Sequence, residues 1–287
     1  MVSAITIATN VLMLGALYSL VAIGFTLIFG VGGVLNLSHG AIITVGAYSA
    51  YAVDAATGSI VLGAIAAAAV SGAFSLALYK GLISKVRHNP VTVLILTLVV
   101  AIVVEQVALV VFGGEELLVP QLLNGSISIM GDSIQANRIL VFVLSWVLIG
   151  GLFYFVDRTR TGKAILATSM SDKGAALVGI DSEQVYTYTW VLAGALAGLA
   201  GLFLASFQTA NPLMGRNPLL LSFAIVVLGG LGSIRGSVIG AYLISFLDQM
   251  TIQFLSERLA GVSALVVLVL VLLIRPKGLF GRELVEE

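Results

Sequence analysis

The first fifty-three residues of the chain contain no Asp, Glu, Lys or Arg, and the first formal charge is Asp54. A bilayer-spanning helix needs about 20 apolar residues, so this stretch has room for two crossings. A Gly-rich interruption, GVGGVLNLSHG (30–40), separates them. A cleavable leader would show a basic start, a short apolar core and a small-residue cleavage site. Here no Lys or Arg precedes the apolar run and the run is too long, so it reads as retained membrane structure. The remainder agrees: 59% of the 287 residues are hydrophobic and 10% charged, against about 25% charged in soluble domains. That is too few charges to coat a water-facing surface. With no cysteine in the chain, disulfides, thiolate metal sites and cysteine nucleophiles are excluded.

Apolar segments fall near 5–30, 37–56, 58–79, 91–112, 139–156, 186–207, 218–232, 236–255 and 259–274. The fold class is therefore all-α: a polytopic transmembrane helical bundle of eight or nine spans, with broken or re-entrant helices among them. Asn89-Pro90 predicts a helix start, because Asn caps and Pro fits the first turn. Pro212 and Pro218 bracket a break, and Pro276 follows the last segment. The segment 218–232 is short for a span and ends in GGLGSIRG (229–236). It reads either as a crossing or as a half-helix ending inside the protein.

Lys and Arg concentrate on the cytoplasmic side of membrane proteins. With the 157–185 loop cytoplasmic and nine crossings, that side also receives 80–90, the 233–236 turn and the C-terminal tail. Eleven basic residues then lie inside, and only Arg138, Arg216 and Arg258 fall elsewhere. This orientation places the C-terminus in the cytoplasm. Two connections are long. The outer one, 113–138, carries Glu115, Glu116 and Asp132 and is expected to pack as an external cap. The inner one reads DRTRTGKAILATSMSDKGAALVGIDSEQV, with apolar residues recurring among polar ones from Gly162 to Ile180. That pattern fits helix-turn-helix segments lying at a membrane surface. It suits a solvated basic loop, and it suits still better a docking surface for a soluble partner.

Four stretches resemble the permease subunit of ATP-binding-cassette (ABC) importers for branched-chain amino acids. They are GALYSLVAIGFTLIFGVGGVLNLSHGAIITVGAY (15–48), RTRTGKAILATSMSDKGAALVGID (158–181), VVLGGLGSIRGSVIGAYL (226–243) and RPKGLFGR (275–282). The resemblance runs almost end to end, in order and at the right spacing. It implies a single permease domain over 1–287, with 157–185 as its cytoplasmic coupling loop. It also implies that Asp172, Lys173, Gly174, Ala175, Ala176 and Gly179 form the coupling segment that seats on a cytoplasmic ATPase. The usual permease pattern opens with Glu-Ala-Ala, so the acid here is shorter and displaced. The implied partners are a second homologous permease, two cytoplasmic ABC ATPases and an extracytoplasmic substrate-binding protein, in the inner or plasma membrane of a prokaryote. No nucleic-acid partner is expected, and related permeases also carry urea-type solutes and, more distantly, sugars. The chain itself holds no phosphate loop of the form Gly-x-x-x-x-Gly-Lys-Ser/Thr. At the nearest candidate Gly162-Lys163 is followed by Ala164, and Asp157 stands where the first Gly belongs. No cofactor, catalytic residue or metal site is expected in this chain.

Polar groups at membrane depth are costly and face a cavity or a partner. Asn36, Ser38, His39 and Gly40 sit in the Gly-rich break. Asn36 or Ser38 can cap the following helix, and a broken helix can also line a translocation path. Glu105 with Gln106, and Asp248 with Gln249, lie mid-segment. Hydrogen bonding to a neighbouring helix accounts for such residues, and the pathway is the alternative role. A self-contained secondary transporter or channel using Glu105 and Asp248 as ion sites is the rival to the ABC reading. Gly194 with Gly198, and Gly236 with Gly240, form small-residue faces suited to close helix packing.

Overall fold

The computed structural model describes residues 4–129, 132–256, 259–275 and 278–280. Pro276, Lys277, Arg258 and Arg282 lie outside them. Each of the nine apolar segments forms a helix: α1 (Ala4–Gly32), α2 (His39–Thr57), α3 (Ile60–Gly81), α4 (Pro90–Phe112), α5 (Ala136–Arg158), α8 (Ser182–Ala205), α9 (Arg216–Gly229), α10 (Ile234–Phe254) and α11 (Val262–Ile274). Two short helices, α6 (Arg160–Met170) and α7 (Asp172–Leu177), occupy the long basic connection. Asn89 caps α4, its side chain accepting from the Thr92 N–H. Among the described residues, α1, α3, α4, α5 and α8 are long and apolar enough to cross a bilayer. The expectation of eight or nine complete spans narrows accordingly. Helices α9 and α10 meet at 116° and pass that test only as a pair. The 13 residues of α11 extend about 20 Å, short of a hydrocarbon core of about 30 Å.

Helices α1 and α8 form the buried axis, flanked by α2, α3 and α10, while α4 and α5 are peripheral. Small residues permit this. A Cβ on Gly198 would strike the Ala67 carbonyl and the Ser71 side chain of α3, and a Cβ on Gly194 would strike Ser75. On the other side, Gly201 lies against the Ile43 carbonyl and Gly46 against Gly198. At the α9–α10 corner, Gly229 and Gly236 are in mutual backbone contact and Gly240 meets the Ile225 carbonyl. Hydroxyls bridge the same helices: Ser75 donates to the Trp190 carbonyl at 2.7 Å and Ser71 to the Ile42 carbonyl at 3.2 Å. With no hydrophobic gain between lipid-exposed helices, such packing and bonding hold the bundle.

The 113–138 connection departs from the helical pattern. Strands β1 (Ser126–Ile129) and β2 (Asp132–Gln135) pair antiparallel, with Ile127 opposite Ile134. Leu117 also pairs with Ala210, tying this cap to the segment that follows α8.

Candidate functional site

The chain doubles back after α1. Gly33 adopts a positive φ of 60°, and residues 34–36 are non-helical before α2 starts at His39. The His39 Nε2 lies 2.9 Å from the Val21 carbonyl. From Gly32 back to Val21 is eleven residues, about 16 Å of helix rise, so the break climbs more than a third of the 29-residue α1. Asn36 shapes the turn: its Oδ1 accepts from the Ser38 N–H at 3.1 Å and from the Ser38 hydroxyl. Of the two capping candidates, Asn36 makes these bonds, and the Ser38 side chain makes no cap bond. The imidazole stands edge-on to Phe25 at 5.7 Å. A Cβ on Gly24 would press into that ring. Gly40 lets the start of α2 touch the Gly215 carbonyl, immediately before α9. Asn36, Ser38 and His39 are fully buried and line neither of the two cavities described next.

One cavity, of about 550 Å³, opens at the capped end of the bundle among Tyr18, Val21, Leu204, Met214, Arg216 and Asp248. The other, of about 610 Å³, opens at the basic end among Thr26, Gly33, Asp157, Asp172, Tyr186 and Arg235. Along α1 only Ala22 to Phe25 stand between them. Ala22 and Phe25 pack with Ala224, Ile225 and Leu228 of α9 and Ala241 and Ile244 of α10 into a buried apolar plug. Helix α9 begins at the first cavity with Arg216, and the turn after it, Leu231 to Arg235, lines the second.

An ion pair stands at each end of α9. Arg216 donates from Nε to Glu105 Oε1 at 2.9 Å and from Nη2 to Oε2 at 2.7 Å, joining α9 to α4. Arg235 meets Asp157 at 3.3 Å, joining α10 to α5. Asp248 accepts through Oδ1 from the Gly261 N–H at 2.6 Å and the Ser263 hydroxyl at 3.2 Å, fixing the turn into α11. Glu105 and Asp248 thus approach one cavity, Glu105 through its arginine, while Gln106 faces away on the exposed side of α4. Sequence reasoning passed over Arg216. The available signal was a lone arginine between Pro212 and Pro218, off the basic side.

At the basic end the 157–185 connection is built rather than loose. Thr159 accepts from the Gly162 N–H to start α6, and Ser171 accepts from the Gly174 N–H to start α7. A Cβ on Gly162 would overlap the Phe155 carbonyl, so α6 turns tightly off α5. Helix α7 ends in a Schellman motif: the Ile180 N–H donates to the Ala175 carbonyl and the Gly179 N–H to that of Ala176, both at 3.0 Å. Gly179 occupies the left-handed position such a motif requires, with φ 83°. Ala175 faces inward at 3% exposure, while Asp172, Lys173, Ala176, Leu177 and Val178 face out. Beside it, Arg87 pairs with Glu183 at 3.2 Å and lies over the Tyr186 ring, and the Tyr186 hydroxyl donates to the Val31 carbonyl. This cluster joins α8, the α3–α4 link and the end of α1.

The chain matches the family model "Branched-chain amino acid transport system / permease component" over residues 7–274. It is 30% identical to the high-affinity branched-chain amino acid transport system permease protein LivH of Salmonella typhimurium, covering 97% of this chain and 96% of that protein. Identity and coverage are the same for the corresponding permease protein BraD of Pseudomonas aeruginosa. The ribose import permease protein RbsC of Escherichia coli is 29% identical over 84% of this chain and 76% of its own length. In fold the chain is similar to a solved chain of PsaBC from Streptococcus pneumoniae in complex with Fab. The TM-score is 0.52 at 15% identity, covering 96% of this chain and 94% of that one. A predominantly helical bundle with helices long and apolar enough to cross a membrane, matching one family model almost throughout and two relatives at this identity over nearly their full length, belongs to the permease component family of branched-chain amino acid transport systems.

Proposed function

We propose that this chain is one permease subunit of an ATP-driven importer that carries branched-chain amino acids into the cell. It works with a second homologous permease, two cytoplasmic ABC ATPases and an external substrate-binding protein. Residues 1–287 act as one transmembrane domain with 157–185 and the C-terminus cytoplasmic, so the capped end faces out. The solute passes between α1 and α9, whose apolar plug closes the route between the two cavities. Asn36, Ser38 and His39 hold the break against α1, and Gly40 sets the approach of α9.

The observation that carries this reading is α7. Leu177 is 89% and Val178 76% exposed on a capped helix backed by buried Ala175. Exposed apolar residues on an ordered element beside charged ones suit a protein groove better than solvent. Helix α7 also abuts the basic-end cavity through Asp172, so a push there reaches the route directly. The occupation of Glu105 by Arg216 weighs against its use as a bare ion site. In the reconstituted complex, Ala176→Trp is expected to cut leucine uptake at least about tenfold while ATP hydrolysis continues. Ala176 is exposed, so the fold stays intact, as thermal unfolding will verify. Undiminished uptake in this variant removes α7 from the coupling role.

A further inference from the structure

We infer that the capped-end cavity is a weak subsite for a zwitterion, with Arg216 receiving the carboxylate and Asp248 the ammonium group. The inference rests on the amino-acid permease reading and adds residues to it. At about 550 Å³ the cavity lies within the range of small-molecule sites. Its lining is mixed: Val21, Leu204, Met214, Leu221 and Leu265 supply apolar surface, and the amides of Gln208, Asn211 and Asn217 stand among them. This lining includes one cationic and one anionic side chain, each with hydrogen-bonding capacity left uncommitted among the described residues.

The Arg216 guanidinium binds Glu105 through Nε and Nη2. Its other edge, at Nη1, has no protein acceptor among the described residues, and the side chain is 61% exposed. A planar guanidinium presents five donors in a fixed fork and can bridge two carboxylates. Asp248 is the complement. Oδ1 takes both protein hydrogen bonds, and Oδ2 has no protein donor among the described residues. Asp248 is only 5% exposed and is one of the residues lining this cavity. A cation, an anion and an aliphatic wall are the negative image of an amino acid with an apolar side chain. Glu105 keeps Arg216 partly neutralised, which holds the contact weak enough for onward release.

The test uses the full chain in lipid nanodiscs and saturation-transfer NMR with three probes: leucine, 4-methylpentanoate, which lacks the ammonium group, and isoamylamine, which lacks the carboxylate. Leucine is expected to bind with a millimolar Kd and each half-ligand at least about tenfold more weakly. Asp248→Asn, which retains the Oδ1 acceptor, should weaken leucine about tenfold and leave 4-methylpentanoate unchanged. Arg216→Gln should do the reverse, weakening leucine and sparing isoamylamine. Glu105→Gln keeps a partner for Arg216 but frees its charge, so leucine should bind severalfold more tightly, an effect that a purely structural pair would not give. Equal binding of all three probes, no leucine binding below about 100 mM, or variants within twofold of the parent overturns the subsite. The readout involves no ATPase, so its failure leaves the importer reading standing, and failure of ATP-driven uptake leaves a positive binding result intact.

Discussion

Gly198→Ala should be among the most damaging single-methyl additions in the bundle. The new Cβ would point into the Ala67 carbonyl and Ser71 of α3, and Gly46 of α2 lies against the same residue. The nearest obstacle, the Ala67 carbonyl, is backbone, which cannot swing aside like a side chain, so α8 has to separate from α3. Inserting one carbon into a packed core costs typically about 1–3 kcal/mol. A backbone obstacle this close places the case at the upper end, about 3 kcal/mol. By the usual size scaling that corresponds to a fall of about 6–12 °C in thermal midpoint. Gly150→Ala on α5 is the control, because nothing lies within 4 Å of its Cβ position. Light-scattering or intrinsic-fluorescence melts of both variants in nanodiscs provide the assay. If Gly198→Ala melts within about 2 °C of Gly150→Ala, the close crossing of α8 with α3 is wrong.

Other outcomes follow from single contacts. His39→Ala removes the bond to the Val21 carbonyl and leaves a void beside Phe25, for an expected loss of about 2–4 kcal/mol in unfolding experiments. Asp181→Ala deletes the side chain that accepts from the Glu183 and Gln184 N–H groups at the start of α8. It should cost about 1 kcal/mol, with Asp181→Asn nearly neutral in the same melts. Gly179→Ala forces a Cβ onto a residue at φ 83°, costing about 1–2 kcal/mol. Hydrogen exchange should locate that loss in 171–180 rather than in the spans.

Much of this architecture was legible in the amino acids. All nine apolar segments became helices, because a bilayer leaves the backbone no other way to satisfy its polar groups. Asn89-Pro90 marked the start of α4 where the structure has it. Hydropathy could not distinguish a span from a fragment, since α9 is as apolar as a crossing helix but has only 14 residues. The course of 33–38 depends on where His39 finds Val21, a tertiary matter. The same holds for Glu105 and Arg216, which are 111 positions apart and declare themselves only when α4 meets α9. The Ser-Ile alternation at 126–129 did carry a strand period, but its short length left it submerged among turn residues.

As a permease subunit of the proposed importer, this chain is expected to conduct solute only when a separate ATPase drives it. The direct measurement is uptake of radiolabelled leucine into proteoliposomes, comparing the assembled complex with the purified chain alone. Uptake is expected to require ATP, the ATPases and the external binding protein, with the chain alone indistinguishable from empty liposomes under any ion gradient. Accumulation of leucine by the chain alone, driven by a sodium or proton gradient, would contradict it.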